Sequence, residues 1–404
     1  MADTPDRLPQ AERNRRLEAL ERAFRPAAPI QSEELFAGRA RQLIAINDLC
    51  QEPGRHGVIF GERGVGKTSL ANVSGEYQKR QGNIWLRIGC DSADTFETMW
   101  SKAFEALALL PKVRSEQYGQ LESIIDIAQD IYLSGNTEVP DAALKGLQVI
   151  TELVGVVICF DEFDRIQGER TPLLMSDCIK TFSDQQIGAT LIIVGVADTI
   201  DSLIANHQSI QRAMSQVRMP RMKSEEIEEI INNGYSAADL TVSARVKPWL
   251  IEVPQGLPYY AHLIAREAGR HALRKDRDEV VDVDWGAAVH EAALLTDQSV
   301  VRTYSEAIAS SHKTIYEEVL IACAIAEKDD LGFFTPPDVR EPLSRIMGEH
   351  YDLPRYSNHL AGLCERGPIL ERRGKVRRWR YRFLDPLMQP YAMIRGIETG
   401  KLRL

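Results

Sequence analysis

Apolar positions along the chain change their period several times, and each change marks a change of element. Short runs that are apolar at nearly every position read as strands buried on both faces, as in parallel sheets. Val58–Phe60, Asn83–Ile88, Gly155–Phe160 and Ala189–Val196 are of this kind. Helical spacing fills the intervals, over Ala40–Cys50, from Ser69 onward, and over Ala93–Leu109, Leu121–Tyr132, Ala142–Leu153 and Leu173–Phe182. Ahead of them, residues 11–25 place Leu17, Leu20 and Phe24 on one helical stripe, closed by Pro26 and Pro29. Beyond Ser224 the spacing is helical throughout, over Trp249–Glu252, Tyr259–Arg274 and Trp285–Leu295. From about Thr303 three more helices, Ser311–Glu327, Pro337–Met347 and Pro354–Glu365, precede Ile369–Phe383, which reads as a hairpin turning at Gly374-Lys375. Three helices and a hairpin describe a winged helix. The expected parts are an N-terminal helical extension (1–28), an α/β core (29–222), a helical unit (223–300) and the winged helix (301–404).

The first strand runs into Gly61-Glu62-Arg63-Gly64-Val65-Gly66-Lys67-Thr68, and a helix opens at Ser69. This fits G-x-x-x-x-G-K-[ST] in its proper strand–loop–helix setting. Backbone N–H groups of such a loop converge on phosphate oxygens, and its glycines permit close approach. The motif predicts that residues 61–69 cradle a nucleoside triphosphate, with Lys67 at the β- and γ-phosphates and Thr68 on Mg²⁺.

The apolar run Gly155–Phe160 ends abruptly in Asp161-Glu162-Phe163-Asp164-Arg165. Two carboxylates at the carboxyl end of a buried strand are costly unless they bind something. Beside a phosphate loop they make a Walker B pair, Asp161 in the Mg²⁺ shell and Glu162 polarising the attacking water. Asp198, with Thr199 second, is the polar residue at the end of the next strand, placed to sense the γ-phosphate. The stretch from His207 to Met222 carries Arg212, Arg218 and Arg221. Arg212 is the candidate for reaching a neighbouring subunit's γ-phosphate, and Arg218 and Arg221 are its alternatives. Arg39, at the head of the helix before the phosphate-loop strand, fits a nucleotide contact and a surface charge equally.

Gly256-Leu257-Pro258 heads the middle helix of the helical unit, with Pro258 near its first position. The terminal hairpin is strongly basic: Arg372, Arg373, Lys375, Arg377, Arg378 and Arg380 alternate with Trp379 and Tyr381. Such a wing suits duplex DNA, through phosphate contact with aromatic support, or an acidic protein surface. The chain as a whole is acidic, with net charge −9, so this basicity is local.

Taken in this order, the phosphate loop, Asp161-Glu162, Arg212, a helical lid and a winged helix resemble an AAA+ ATPase of the origin-recognition initiator type. They also resemble the STAND signalling ATPases, which share the Gly-x-Pro element found here as Gly256-Leu257-Pro258. The resemblance implies a P-loop NTPase αβα domain with a parallel five-stranded sheet, an all-α lid and a winged-helix domain. It further implies ATP with Mg²⁺, Pro258 at the nucleotide, and a nucleotide-dependent homo-oligomer. The sequence departs from initiators after Pro258, where Tyr259-Tyr260-Ala261-His262 lacks their arginine, and at Asp198, where Asn or Thr is usual. One reading is thus an ATP-driven switch controlling DNA or a protein effector. The other is a nucleotide-gated adaptor, such as an anti-phage defence or regulatory subunit, with little hydrolysis.

With 44% hydrophobic and 26% charged residues the composition is that of an ordinary globular chain. The longest apolar run, Leu153–Phe160, is too short to span a bilayer, and the N-terminus is polar and acidic, unlike a signal peptide. Six cysteines without a C-x-x-C pair point to a reduced cytoplasm and away from a zinc site.

Overall fold

The computed structural model describes residues 9–26, 37–198, 200, 203–204, 210–309, 314–329, 331–365, 368–375 and 378–403. It divides into two compact units, one of Pro29–Glu62 with Gly66–Pro220, the other of Met1–Ala28, Arg63–Val65 and Arg221–Leu404. No helix among the described residues is long and apolar enough to cross a membrane.

The first unit is built on β1 (His56–Gly61), β2 (Ile84–Gly89), β3 (Val156–Asp161), β4 (Ala189–Val196) and β5 (Met214–Arg218). They form one parallel sheet in the order β2-β3-β4-β1-β5. Every residue of β1 and β3 is buried, which is why both read as unbroken apolar runs. β5 escapes that pattern because Ser215, Gln216 and Arg218, three of its five residues, are not buried. The connecting helices are α2 (Ala40–Gln51), α3 (Lys67–Arg80), α4 (Phe96–Val113), the single turn α5 (Ser115–Tyr118), α6 (Glu122–Ser134), α7 (Pro140–Thr151) and α8 (Arg170–Asp184). Helix α4 starts at a capping box on Thr95 and Thr98 and buries Phe96, Trp100 and Phe104 at four-residue spacing. The Trp100 ring is fully buried and meets Phe160 of β3 edge-on, with centroids 5.4 Å apart.

In the second unit α1 (Gln10–Ala23) packs against α9 (Ser224–Ala237) and α11 (Pro258–Arg274). Phe24, just past α1, is fully buried, its ring 5.3 Å from that of Tyr235 and 5.9 Å from that of His262. Ion pairs Arg13–Asp276 (3.2 Å) and Arg15–Asp239 (2.6 Å) line the edge of this contact. The unit continues through β6 (Thr241–Val242), α10 (Lys247–Glu252), β7 (Glu279–Val280), α12 (Asp282–Leu295) and α13 (Gln298–Ile308). There follow α14 (Tyr316–Ile325), α15 (Pro336–Met347) and α16 (Leu353–Glu365), and then the antiparallel pair β8 (Leu370–Arg373) and β9 (Arg380–Phe383). A bridge from Phe334 to Tyr381 adds a third short strand to the hairpin.

The last helix, α17 (Met388–Glu398), is not among the elements expected from sequence. It is buried on nearly all sides, through Met388, Tyr391, Ala392, Met393 and Ile394, so it lacks the amphipathic stripe that betrays a surface helix. Its Gln389 is buried and knots three segments together. The Gln389 amide donates to Ala324 O (2.8 Å) at the end of α14 and to Gln255 Oε1 (2.6 Å), while its carbonyl oxygen accepts from Arg221 Nη1 (2.5 Å).

One titratable group is tied to the sheet itself. His56, fully buried at the start of β1, accepts the Leu191 N–H at Nδ1 (3.0 Å), which fixes a neutral ring. Burial lowers its pKa to about 4. Above the unfolded value of about 6.5 the ring is neutral in both states. As pH falls toward 4 the unfolded chain gains the proton first, so stability is lost across that window. Denaturant titrations should show the wild type losing roughly 3 kcal/mol more than His56→Phe between pH 6.5 and 4. Parallel curves for the two proteins would contradict a buried neutral ring.

Candidate active site

The carboxyl ends of the strands lie along one edge of the sheet, where Gly61 is paired with Val196, Phe60 with Arg218 and Gly89 with Asp161. The loop after β1 starts at this edge. Gly61 has φ 153°, and a side chain there would fall on the Met219 carbonyl, which is close because the Met219 N–H donates to Phe60 O (2.8 Å). Gly64 and Gly66 are left-handed, and Gly66 is the N-cap of α3. Inside α3 the Leu70 N–H is bonded to Gly66 O, so the preceding amides of Lys67, Thr68 and Ser69 point out of the helix start. The buried Lys67 folds back over the loop, its ammonium donating to Gly61 O (3.0 Å) and Glu62 O (2.7 Å). Arg63 is exposed, Val65 buried, and Glu62, Thr68 and Ser69 half-buried.

Two strands away, at about 10 Å given the usual strand spacing, Asp161 ends β3. Its carboxylate is buried and bonded once at each oxygen: Oδ1 accepts the Glu162 N–H (2.9 Å) and Oδ2 accepts from Arg87 Nη1 (3.0 Å). Arg87 sits on β2 two residues before Gly89, the partner of Asp161, and so on the same sheet face. Glu162 has φ 57° and ψ 35°, a left-handed conformation unusual for a residue with a Cβ. This turn aims its exposed carboxylate outward, to Arg165 Nη1 at 2.8 Å. Asp164 serves the frame: its Oδ1 accepts the Val196 N–H (2.8 Å) and fastens the turn after β3 to the end of β4. Asp198, half-buried, follows at the same edge. Thr199 lies outside the described residues, as do His207, Gln208, Ser209 and Arg377.

Arg212 occupies the other edge. It lies two residues ahead of Met214, the partner of His56, and its carbonyl accepts from Arg55 Nη1 (3.0 Å). A six-residue strand separates it from Gly61, roughly 20 Å. Arg218 lies at the carboxyl edge, and Arg221 is bound to Gln389 and Gln255. Arg39 is buried, its guanidinium donating to Pro220 O (2.6 Å) just past β5, so it is no surface charge. In the second unit Pro258 takes the first position of α11. Gly256 before it has φ 75°, and a Cβ there would come within 2.5 Å of Met222 O, while its own carbonyl accepts the Met222 N–H (2.9 Å).

Several arginines of the basic hairpin are paired with acids, one on the hairpin and two from elsewhere in the chain. Arg372 pairs with Glu365 (3.5 Å), Arg373 with Glu371 (3.3 Å), and Arg380 with Asp329. Arg373, Arg380 and Arg382 all stack near the buried Phe333 ring, at 4.7–5.1 Å, and Arg372 lies 5.0 Å from the Trp379 ring. Lys375 and Arg378 at the turn are exposed.

Reading the sequence passed over Arg87 and Arg165. An arginine near the end of the strand beside an acidic strand end is a usable signal for the first. The left-handed Glu162 has no such signal, since Gly, Asn or Asp would be the usual occupant. A glutamate there costs about 1–2 kcal/mol relative to glycine, the ion pair to Arg165 being half exposed. Glu162→Gly should therefore be more stable than Glu162→Ala by about 1 kcal/mol in urea titrations, since both lose the side chain and only glycine is relaxed. Equal stabilities would mean that the turn is unstrained.

Residues 35–177 match the family model of the AAA ATPase domain. No curated protein matches the chain in sequence. Among solved structures, the Walker-type ATPase PABY2304 of Pyrococcus abyssi superposes with a TM-score of 0.57 at 15% identity, over 92% of this chain and 99% of that one. The Aeropyrum pernix ORC2 protein follows with 0.48 at 15% identity, over 94% and 98%. Cdc6p of Pyrobaculum aerophilum gives 0.47 at 16% identity, over 95% and 99%. At these identities the first likeness shows the fold alone. Together with the phosphate loop and the paired acids, the domain match identifies the chain as an ATPase of the P-loop class, with an AAA ATPase domain at residues 35–177.

Proposed function

We propose that the chain is an ATP-driven switch whose nucleotide state controls how the lid and the C-terminal winged helix engage a partner. The observation that carries this reading is the gathering of the phosphate loop, Asp161, Glu162 and Asp198 along one edge of a buried parallel sheet. Loop amides at residues 62–68 would bind the phosphates, and Lys67 would turn its ammonium from the Gly61 and Glu62 carbonyls toward their oxygens. Thr68 and Asp161 offer hard oxygen donors of the kind Mg²⁺ takes, so the residues fit the ion, which when bound would offset phosphate charge. Arg87 holds the Asp161 carboxylate in one orientation. Glu162, aimed outward by its left-handed backbone, would accept a proton from water, and Asp198 would help to orient that water. Pro258 is retained as a nucleotide contact. Arg212, at the far edge from its own loop, could act on a phosphate only in another copy, so that role requires an oligomer.

The partner is DNA in one version and a protein in the other. Pairing of the wing arginines with Glu365, Glu371 and Asp329 favours the protein-binding adaptor, because a neutralised guanidinium displaces few counterions from DNA. If Lys375 and Arg378 alone meet phosphates, log–log salt dependence of duplex binding should have a slope near −2. A slope steeper than about −5 would place the whole hairpin on DNA.

For the switch itself, Lys67→Ala should lower ATP affinity by about tenfold to a hundredfold in calorimetry. Glu162→Gln should bind ATP as the wild type does and turn it over about a hundredfold more slowly. Unchanged turnover in Glu162→Gln would remove Glu162 from the chemistry.

A further inference from the structure

Between α2 and α3, on the outer side of the sheet unit, lies a cavity of about 230 Å³. Leu43, Ile44 and Asn47 of α2 face Val73, Ser74 and Tyr77 of α3 across it. On α2 these positions are a stripe separate from Ile46 and Leu49, which are buried. Ile44 is 59% exposed although it lines a groove, so packing leaves the stripe open. The cavity is set well away from the phosphate site, since Ser74 lies six residues, about 9 Å, down α3 from Thr68.

The floor of the cavity is polar in a particular way. Ser74 is 3% exposed, and its Oγ finds no hydrogen-bond partner among the described residues. A buried hydroxyl left in that state costs free energy that a ligand atom would recover. Beside it Asn47 uses its carbonyl oxygen to accept from Gln78 Nε2 (3.3 Å), which leaves its own NH₂ as a donor. Gln78 in turn is committed to Asn83, whose amide donates to its oxygen (2.7 Å). Hydroxyl and amide thus form one edge that can both donate and accept, and the other walls are apolar. No charged side chain lines the space, so an ion would lose its hydration without compensation.

We propose that this cavity is a second ligand site, taking an uncharged, flat heteroaromatic ring with a donor–acceptor edge, of nicotinamide or nucleobase size. The ring lies between the two helical stripes against Tyr77, and its polar edge meets Ser74 and Asn47. Neither residue belongs to the phosphate site, and the proposal does not depend on the switch reading.

Nicotinamide is the probe, titrated into the full-length chain by NMR, with toluene as a ring of similar size lacking the polar edge. The wild type should bind nicotinamide saturably and more tightly than toluene. Ser74→Val, which keeps the shape and deletes the hydroxyl, should weaken nicotinamide about tenfold while leaving toluene unchanged or tighter. Ile44→Trp should block both. Ser74→Ala replaces Ser74→Val if the valine variant fails to fold. The proposal is overturned if nicotinamide does not saturate, if both variants bind it as the wild type does, or if toluene binds as well as nicotinamide. Any of these would leave the cavity a place for water alone.

Discussion

The Asp161 carboxylate is buried and must be given partners there, and much of the sheet unit follows from that. It sits at the end of an all-apolar strand, where a carboxylate left without hydrogen-bond partners would be costly. Two partners prevent this, the Arg87 guanidinium across the strand pair and the N–H of Glu162 directly beyond. The second of these turns the chain sharply, so the left-handed Glu162 and the solvation of Asp161 belong to one local geometry. Asp164 then anchors the turn to β4, whose end is paired with Gly61. A chain of bonds thereby runs from the acids to the root of the phosphate loop without leaving the sheet edge.

This geometry also separates reactivity from rigidity. The groups that would handle water or phosphate, Glu162 and Lys67, are held by bonds that can be exchanged, one half-exposed ion pair and two backbone carbonyls. The groups that frame them are fixed, Arg87 by the register of β2 with β3 and Asp164 by its bond to Val196 of β4. Preorganisation of this sort concentrates freedom in the atoms that must move.

Much of the fold was legible because its signals are local. A glycine-rich loop between strand and helix, and carboxylates ending an apolar run, carry their meaning in consecutive residues. Of the four strands anticipated from sequence, β1 and β3 are buried throughout, β4 at all but its last residue and β2 at all but Arg87 and Gly89, and the five-stranded parallel sheet follows the P-loop resemblance. What stayed hidden depends on neighbours distant in sequence. The edge strand β5 carries Ser215, Gln216 and Arg218 outside the core, and α17 has no stripe because several helices surround it. Arg39 could be a surface charge or a contact until Pro220, far along the chain, closed over it. The basic hairpin misleads in the opposite direction. A count of its arginines suggests free positive charge, but Glu371 of β8 and, from elsewhere in the chain, Glu365 and Asp329 pair with several of them.

The buried Gln389 has a bearing on how the C-terminus can vary. Its side chain bonds the Ala324 carbonyl near the end of α14, the Gln255 side chain ahead of α11, and Arg221 just after the sheet. Those three segments reach it from widely separated parts of the polypeptide and share no other single residue in this way among the bonds described. A chain ending at the hairpin would take one shared partner from both Arg221 and the Ala324 carbonyl, leaving them only their bonds to Gln255 O and Lys328 Nζ among those described, and would untie the three segments. The tail after β9 is a keystone, and shortening or tagging it at Met388 should be treated as an alteration of the interior.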